Sequence, residues 1–148
     1  MVRLGFTLDP DDWHGVPAER VWATPLEEEG GATLYRVENT PFYVKGVNFL
    51  DIVEAEEING RLEFVRVVKT SGRATFRIIV YPANRMAFLR EWQRLKALGC
   101  SYESSKERAY DFYAVDVLPG ADLKAVRQIL SDGKNDKIWL YDTGHSSS

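Results

Sequence analysis

Cysteine is almost missing from this chain. Cys100 is the single one in 148 residues, so no intramolecular disulfide can form, and a reducing cytoplasm is the expected setting. No run of even about ten apolar residues occurs, which excludes a membrane-spanning helix. The opening Met1-Val2-Arg3-Leu4-Gly5-Phe6 lacks the apolar centre of a secretory signal. Histidine is confined to His14, in an early turn, and His145, near the end. That leaves Cys100 without the basic partner a thiol nucleophile needs, so it reads as a small apolar core residue. Gly-x-x-x-x-Gly-Lys, Gly-x-Gly-x-x-Gly and Gly-x-Ser-x-Gly segments are also lacking, and with them phosphate loops, dinucleotide folds and nucleophile elbows. No catalytic residue, cofactor or metal is expected.

What is present is ordinary globular material: 45% hydrophobic and 28% charged residues, with a formal charge of −3. That small total argues against a general nucleic-acid or anionic-membrane binder, yet it hides an asymmetry. Residues 1–72 hold 13 acidic against 7 basic side chains, and residues 73–148 hold 9 against 12.

The first half reads as β-structure. Strands are expected at Arg3–Leu8, Arg20–Glu27 and Thr33–Glu38, an extended stretch at Pro41–Val44, and a hairpin of Asp51–Ile58 with Arg61–Val68 around Asn59-Gly60. That pair tolerates the two positive φ values of a type I′ turn. After Ser71-Gly72 strands alternate with helices. Thr75–Tyr81 is β-rich, and Asn84 is a candidate cap for a helix with Phe88, Leu89, Trp92, Leu95 and Leu98 on one stripe, stopped by Gly99. Ser101–Lys106 and Ala109–Val117 are strands. Asp122 caps a second helix carrying Leu123, Val126, Ile129 and Leu130, ending near Gly133, and Lys137–Asp142 is the last strand. The expected fold is therefore α+β: an N-terminal β-rich curled sheet or small barrel (1–72) packed on a C-terminal ferredoxin-like β-α-β-β-α-β unit (73–143), with residues 144–148 as a disordered tail.

Alternation assigns Phe76, Ile78, Val80, Tyr113, Val115, Val117, Ile138 and Leu140 to the helix-covered side of that unit. The opposite set, Ile79, Tyr81, Tyr110, Phe112, Trp139 and Tyr141, is too apolar to stand in water. The preferred explanation is that the N-terminal half covers it. The alternative is an aromatic platform for nucleic-acid bases using Tyr81, Tyr110, Phe112 and Tyr141, against which stands the lack of a basic-glycine-aromatic motif, Arg77 being the one cation in the set. A third reading is a small-molecule regulator with its pocket at the junction of the halves.

Asp9, Asp11, Asp12 and His14 crowd potential metal ligands, but the glycine and terminal glutamate of a calcium loop are missing, and a self-capping turn is expected. Glu27-Glu28-Glu29 beside Gly30-Gly31, and Glu54, Glu56 and Glu57 near the hairpin, form acidic edges. Such edges discourage strand-to-strand aggregation, and they also suit a basic cleft on another protein. Trp13 is the tryptophan best placed as an interface anchor.

Several segments together resemble a known family. Glu19-Arg20-Val21-Trp22-Ala23, Leu34 through Tyr43, Gly46 through Asp51-Ile52-Val53, Val68-Lys69-Thr70-Ser71-Gly72 and Leu98-Gly99-Cys100-Ser101-Tyr102-Glu103 resemble an uncharacterised bacterial family, domain of unknown function four-two-six-five, over nearly the whole chain. The chain departs at Asn48-Phe49-Leu50-Asp51, where the resemblance leads one to expect a glycine before the aspartate. It implies no catalytic residues. It implies a place in bacterial toxin and immunity neighbourhoods, and hence a non-enzymatic cytoplasmic immunity protein that occludes the active site of a cognate toxin. The expected contacts are Trp13, Glu27, Glu28, Glu29, Glu56 and Glu57.

Overall fold

The computed structural model describes residues 1–12, 14–27, 30–106 and 110–146. Among these, nine strands in two sheets and two helices make a mixed α+β fold in which strands predominate. No helix among them is long and apolar enough to cross a membrane.

The first sheet is a closed barrel of β1 (Val2–Thr7), β2 (Ala18–Pro25), β3 (Leu34–Val37), β4 (Ile52–Ile58) and β5 (Arg61–Lys69). Each strand pairs antiparallel with the next, so five strands must close in parallel, and they do so at Gly5 opposite Glu63. The Glu63 carboxylate lies across β1 there, 3.0 Å from where a Cβ on Gly5 would stand, so a larger residue would have to push that carboxylate aside. Irregular pairing between Ile52 and Val53 and between Glu54 and Ala55 bends β4 around the barrel. The alternating inward residues Leu4, Phe6, Val21, Ala23, Val37, Val53 and Ala55 fill it. Asn59 and Gly60 take φ 52° and 78°, as the hairpin reading requires.

The second sheet holds β6 (Ala74–Val80), β7 (Cys100–Lys106), β8 (Asp111–Val117) and β9 (Leu140–Ser146) in the order β7-β8-β6-β9, all antiparallel. Helix α1 (Arg85–Ala97) joins β6 to β7, and α2 (Leu123–Asn135) joins β8 to β9. Phe88, Trp92 and Leu95 from α1 and Val126, Ile129 and Leu130 from α2 share one core with Phe76, Ile78, Val80, Tyr113, Val115 and Val117. The Phe88 and Tyr113 rings stack at 4.3 Å.

Several expectations need correction. Asp122 does cap α2, accepting from the Ala125 amide at 3.0 Å, but Asn84 does not cap α1. Its side-chain Nδ2 donates instead to the Lys137 carbonyl, and a 3-10 turn at Pro82–Asn84 leads into the helix. Ile138 packs against the helix-side core as expected, but beyond it the faces are exchanged. Lys137 adopts φ 59° and the strand begins at Leu140, so Trp139 and Tyr141 join the helix-side core while Leu140 is turned out, 49% exposed. A one-residue offset suffices for such an exchange. Trp139 lies on Gly133, where any Cβ would collide with its indole, and its Nε1 donates to the Leu130 carbonyl at 2.9 Å. β9 also continues to Ser146, into the segment expected as a tail. Finally, Pro41–Val44 is not a strand; its backbone is held by side chains.

Candidate functional site

The face of the second sheet turned away from the helices carries Thr75, Arg77 and Ile79 of β6, Phe112 and Asp116 of β8, Glu103 of β7, and Leu140 and Asp142 of β9, as register requires. The loop between β3 and β4, residues 38–51, lies across it. Phe42 and Tyr43 meet the fully buried Phe112 edge-on at 5.4 and 5.5 Å. A loop over an apolar face has backbone groups that neither sheet nor water satisfies, so partners must come from side chains. Glu19 of β2 accepts the amides of Phe42, Tyr43 and Val44 at 2.6, 3.0 and 2.9 Å. From the other side Arg77 Nε donates to the Phe42 carbonyl at 2.6 Å, and Nη2 to Val44 at 2.5 Å and Pro41 at 3.4 Å. The loop is thus gripped by an acid on its amides and a base on its carbonyls.

The seam extends in both directions. Glu103 accepts from the Thr40 amide at 2.5 Å and the Asn39 side chain at 3.3 Å, while Asn39 Oδ1 accepts from the Trp22 amide at 2.6 Å. Asp51, fully buried, accepts from the amides of Asn48 (2.9 Å) and Ser71 (2.7 Å), and Thr75 donates to Asn48 Oδ1 at 2.6 Å. Arg73 pairs with the buried Asp116. Among the described residues, two buried side-chain atoms find no protein partner: Arg77 Nη1 and Asp116 Oδ1. Burial lowers the Arg77 pKa, opposed by the charges of Glu19 and Asp142. Burial raises that of Asp116, opposed by Arg73. It also pushes the Cys100 thiol up to about 12, with the Asp116 charge adding to the effect, so the thiol is not nucleophilic near neutrality.

Of the residues expected to touch a partner, Glu27, Glu56 and Glu57 are exposed, whereas Trp13, Glu28 and Glu29 lie outside the described residues. The meander brings the β2–β3 turn and the β4–β5 turn to the same end of the barrel, as bonds from Leu26 to Leu34 and from Ala55 to Thr33 require. Glu27 therefore shares an end with Glu56 and Glu57. Glu56 faces Glu63 directly across the hairpin, and Glu54 pairs with Arg66 at 2.9 Å. The early acidic turn closes on itself: Asp9 Oδ1 accepts from the Asp11 amide, and His14 Nδ1 accepts from the Val16 amide while its ring meets Tyr43 at 5.1 Å. No three His, Cys, Asp or Glu among the described residues converge as a metal-ligand set. The four aromatics of the base-stacking alternative do not share a platform. Phe112 is covered by the loop, the Tyr141 hydroxyl meets Ser131 of α2, and Tyr81 and Tyr110 pair edge-on with each other.

Glu19, Asp51, Glu103 and Arg77 did not stand out in the sequence as a group. The available signal was Arg77, a lone charge inside the apolar Thr75-Phe76-Arg77-Ile78-Ile79-Val80 run, which demands buried partners. Each of the five segments carrying the family resemblance contributes to this seam, through Glu19, the Asn39–Tyr43 loop, Asp51, Ser71 and Glu103.

Among curated proteins, none is significantly similar in sequence to the chain. Among solved structures, the crystal structure of a hypothetical protein from Neisseria gonorrhoeae is similar, with TM-score 0.71 at 17% identity over 99% of this chain and 96% of that one. At that identity the likeness concerns the fold. The family model described as domain of unknown function DUF4265 matches residues 19–141, from the glutamate that grips the loop amides to the last strand, and the chain belongs to that family.

Proposed function

We propose that this chain is a non-enzymatic binding protein that inserts an acidic barrel end into a basic cleft of another protein, in the manner of an immunity protein occluding the active site of a cognate bacterial toxin. The observation that carries the reading is the in-register placement of Glu56 opposite Glu63, with Glu57 beside it and Glu27 at the same end of the barrel. Like charges directly opposite on a hairpin work against it, and a cationic partner reverses the sign of that term. The uses of the ionisable groups in the seam support a binding rather than a chemical role: the buried Asp51 and Arg77 and the half-buried Glu19 and Glu103 bind backbone, and the Cys100 thiol is held protonated by burial. We read the C-terminal sheet as ferredoxin-like, on its β-α-β-β-α-β element order and its β7-β8-β6-β9 strand order. In this reading it is the platform that carries the barrel.

The test is capture of the product of the adjacent gene by the wild-type chain and by a Glu27→Lys, Glu56→Lys, Glu57→Lys variant at several salt concentrations. The expected result is loss of binding and of its salt dependence, since steering between opposite charges weakens with ionic strength. Unchanged binding with unchanged salt dependence removes these carboxylates from the interface.

A further inference from the structure

The second sheet has two edge strands, β7 and β9, and they differ. β9 pairs irregularly opposite Thr75 and Phe76, a break of the kind that discourages further pairing. β7 keeps unbroken register with β8 from Cys100 to Lys106 and contains no proline. The Leu118 amide donates to the Gly99 carbonyl directly opposite, which sets the phase of the ladder. Gly99, Ser101, Glu103 and Ser105 turn their backbone groups toward β8, and Cys100, Tyr102 and Ser104 turn theirs outward. Among the described residues nothing pairs with those outward groups. The same three residues place their side chains on the helix side of the sheet, opposite Val117, Val115 and Tyr113.

Helix α1 walls this edge. Arg85, Leu89, Gln93 and Lys96 fall along one stripe of it, and two cavities lie between that stripe and β7. One, of about 360 Å³, is lined by Leu89, Trp92, Gln93, Lys96 and Tyr102. The other, of about 180 Å³, is lined by Arg85, Ser104, Asp111 and Tyr113. Leu89 and Tyr102 are 42% and 39% exposed, an apolar middle between two polar ends. At one end the Lys96 ammonium has no ionic partner among the described residues. At the other, Arg85 directs Nε and Nη2 to a single Asp111 oxygen and keeps its remaining edge exposed. Beside it the Tyr113 hydroxyl, in a residue only 7% exposed, lines the cavity and bonds to no described residue.

We infer that the groove between α1 and β7 docks an extended acidic segment of a partner protein, which adds to the sheet as a further strand antiparallel to β7. Main-chain bonds to Cys100, Tyr102 and Ser104 give such a segment its hold, and pockets for alternate side chains give it selectivity. The antiparallel sense follows the rest of this sheet. A carboxylate opposite Cys100 meets Lys96, an apolar side chain opposite Tyr102 enters the space against Leu89 and Trp92, and a second carboxylate opposite Ser104 accepts from the Tyr113 hydroxyl and the exposed edge of Arg85. Alternate residues of a strand advance about 7 Å, close to the ~6 Å between helix residues four apart, so the three contacts stay in step along the groove. Charge selects the acid: α1 carries Arg85, Arg90, Arg94 and Lys96 against Glu91 alone, which pairs with Arg94. This edge calls for a partner segment of the sign opposite to the one that suits the barrel-end glutamates and uses none of them, so it stands or falls independently of that reading.

The experiment is fluorescence anisotropy of the labelled heptapeptide acetyl-Thr-Glu-Thr-Leu-Thr-Glu-Thr-amide titrated with the full chain, together with hydrogen exchange of the complex. Three altered peptides accompany it: lysine for both glutamates, serine for leucine, and a methyl on the leucine nitrogen. The parent peptide is expected to bind and to slow exchange at the Tyr102 and Ser104 amides. The lysine peptide should bind at least about fivefold more weakly, and the serine and N-methyl peptides at least about tenfold. Lys96→Glu, a change on the exposed surface of α1, should weaken the parent about fivefold and strengthen the lysine peptide. No anisotropy change at about 1 mM chain overturns the proposal, that being the weakest affinity worth calling a site. So does equal binding of the glutamate and lysine peptides, indifference to the N-methyl group, or protection on β9 instead of β7. A dimer in sedimentation without peptide, with Tyr102 and Ser104 already protected, gives the edge to a second copy of the chain and overturns it too.

Discussion

On one face of the β7-β8-β6-β9 sheet, two amphipathic helices bury a continuous apolar cluster around Phe88, Trp92, Tyr113 and Trp139. On the other, an irregular loop covers Phe112 and is held by Glu19 and Arg77. The helices satisfy their own backbones, so their adhesion needs only complementary apolar shape. The loop has no such internal ladder. It can cover the sheet only because charged side chains supply its backbone partners, which concentrates its stability in a few groups. The two coverings should therefore fail differently: the polar one abruptly when a single residue is lost, the apolar one in proportion to the misfit introduced.

The sharpest way to break that contrast is Arg77→Met, which keeps an aliphatic stem but leaves the Phe42 and Val44 carbonyls unaccompanied beneath the loop. A cost of about 3–5 kcal/mol is expected, because removing one side of a buried charged network strands the other. Urea unfolding measures it. A loss below about 1 kcal/mol would mean the loop is held by Phe42 and Tyr43 packing instead.

The matching probe of the helix side is Gly133→Ala. In an exposed helix this exchange gains about 1 kcal/mol, but here the new methyl runs into the Trp139 indole. Overpacking of about 1–3 kcal/mol should outweigh the helix gain. A stabilised variant would show that Trp139 is free to move off α2, and that this face is less tightly matched than the contrast supposes.

Asp116 tests the polar face through pH. Burial raises its pKa, with Arg73 opposing, so the folded chain holds this proton more tightly than the unfolded one. The stability linked to that proton is fully present below the unfolded value and is lost as pH rises through the folded value. Asp116→Asn removes the titration. The stability of the wild type relative to the variant should therefore increase as pH falls from about 7 to about 4. Unfolding midpoints across that range decide it, and the opposite slope would mean that the Arg73 pair dominates over burial.

The contrast also sets what a reader of the sequence could see. Helix-side residues follow local periodicity, so Phe88, Trp92, Val126 and Leu130 were legible from spacing alone, as was the Asn59-Gly60 hairpin. The exchange of Trp139 and Leu140 was not, because a positive φ at Lys137 reset the alternation before β9 began. The seam was least legible. Pro41–Val44 reads as extended, and its partners Glu19 and Arg77 lie more than 20 residues away on either side. Side-chain-to-backbone bonds of that range have no sequence period to betray them. As for the expected contact set, the meander explains why turns remote in sequence, at Gly30-Gly31 and Asn59-Gly60, bring Glu27 to the same barrel end as Glu56 and Glu57.

The smallest expected effect concerns the one place where the family resemblance called for a different residue. Leu50 adopts φ 66°, the left-handed region, immediately before Asp51, whose carboxylate ties Asn48 to Ser71. For a residue with a Cβ that conformation costs about 1–2 kcal/mol, whereas glycine adopts it freely. Against this relief, Leu50→Gly loses a half-buried side chain and makes the unfolded chain more flexible, which offsets about 0.4–1 kcal/mol. A net gain of about 0.5 kcal/mol is expected in the urea midpoint. A clear loss would mean that the Leu50 side chain itself helps hold the loop, adding an apolar anchor to a covering so far accounted for by its polar ones.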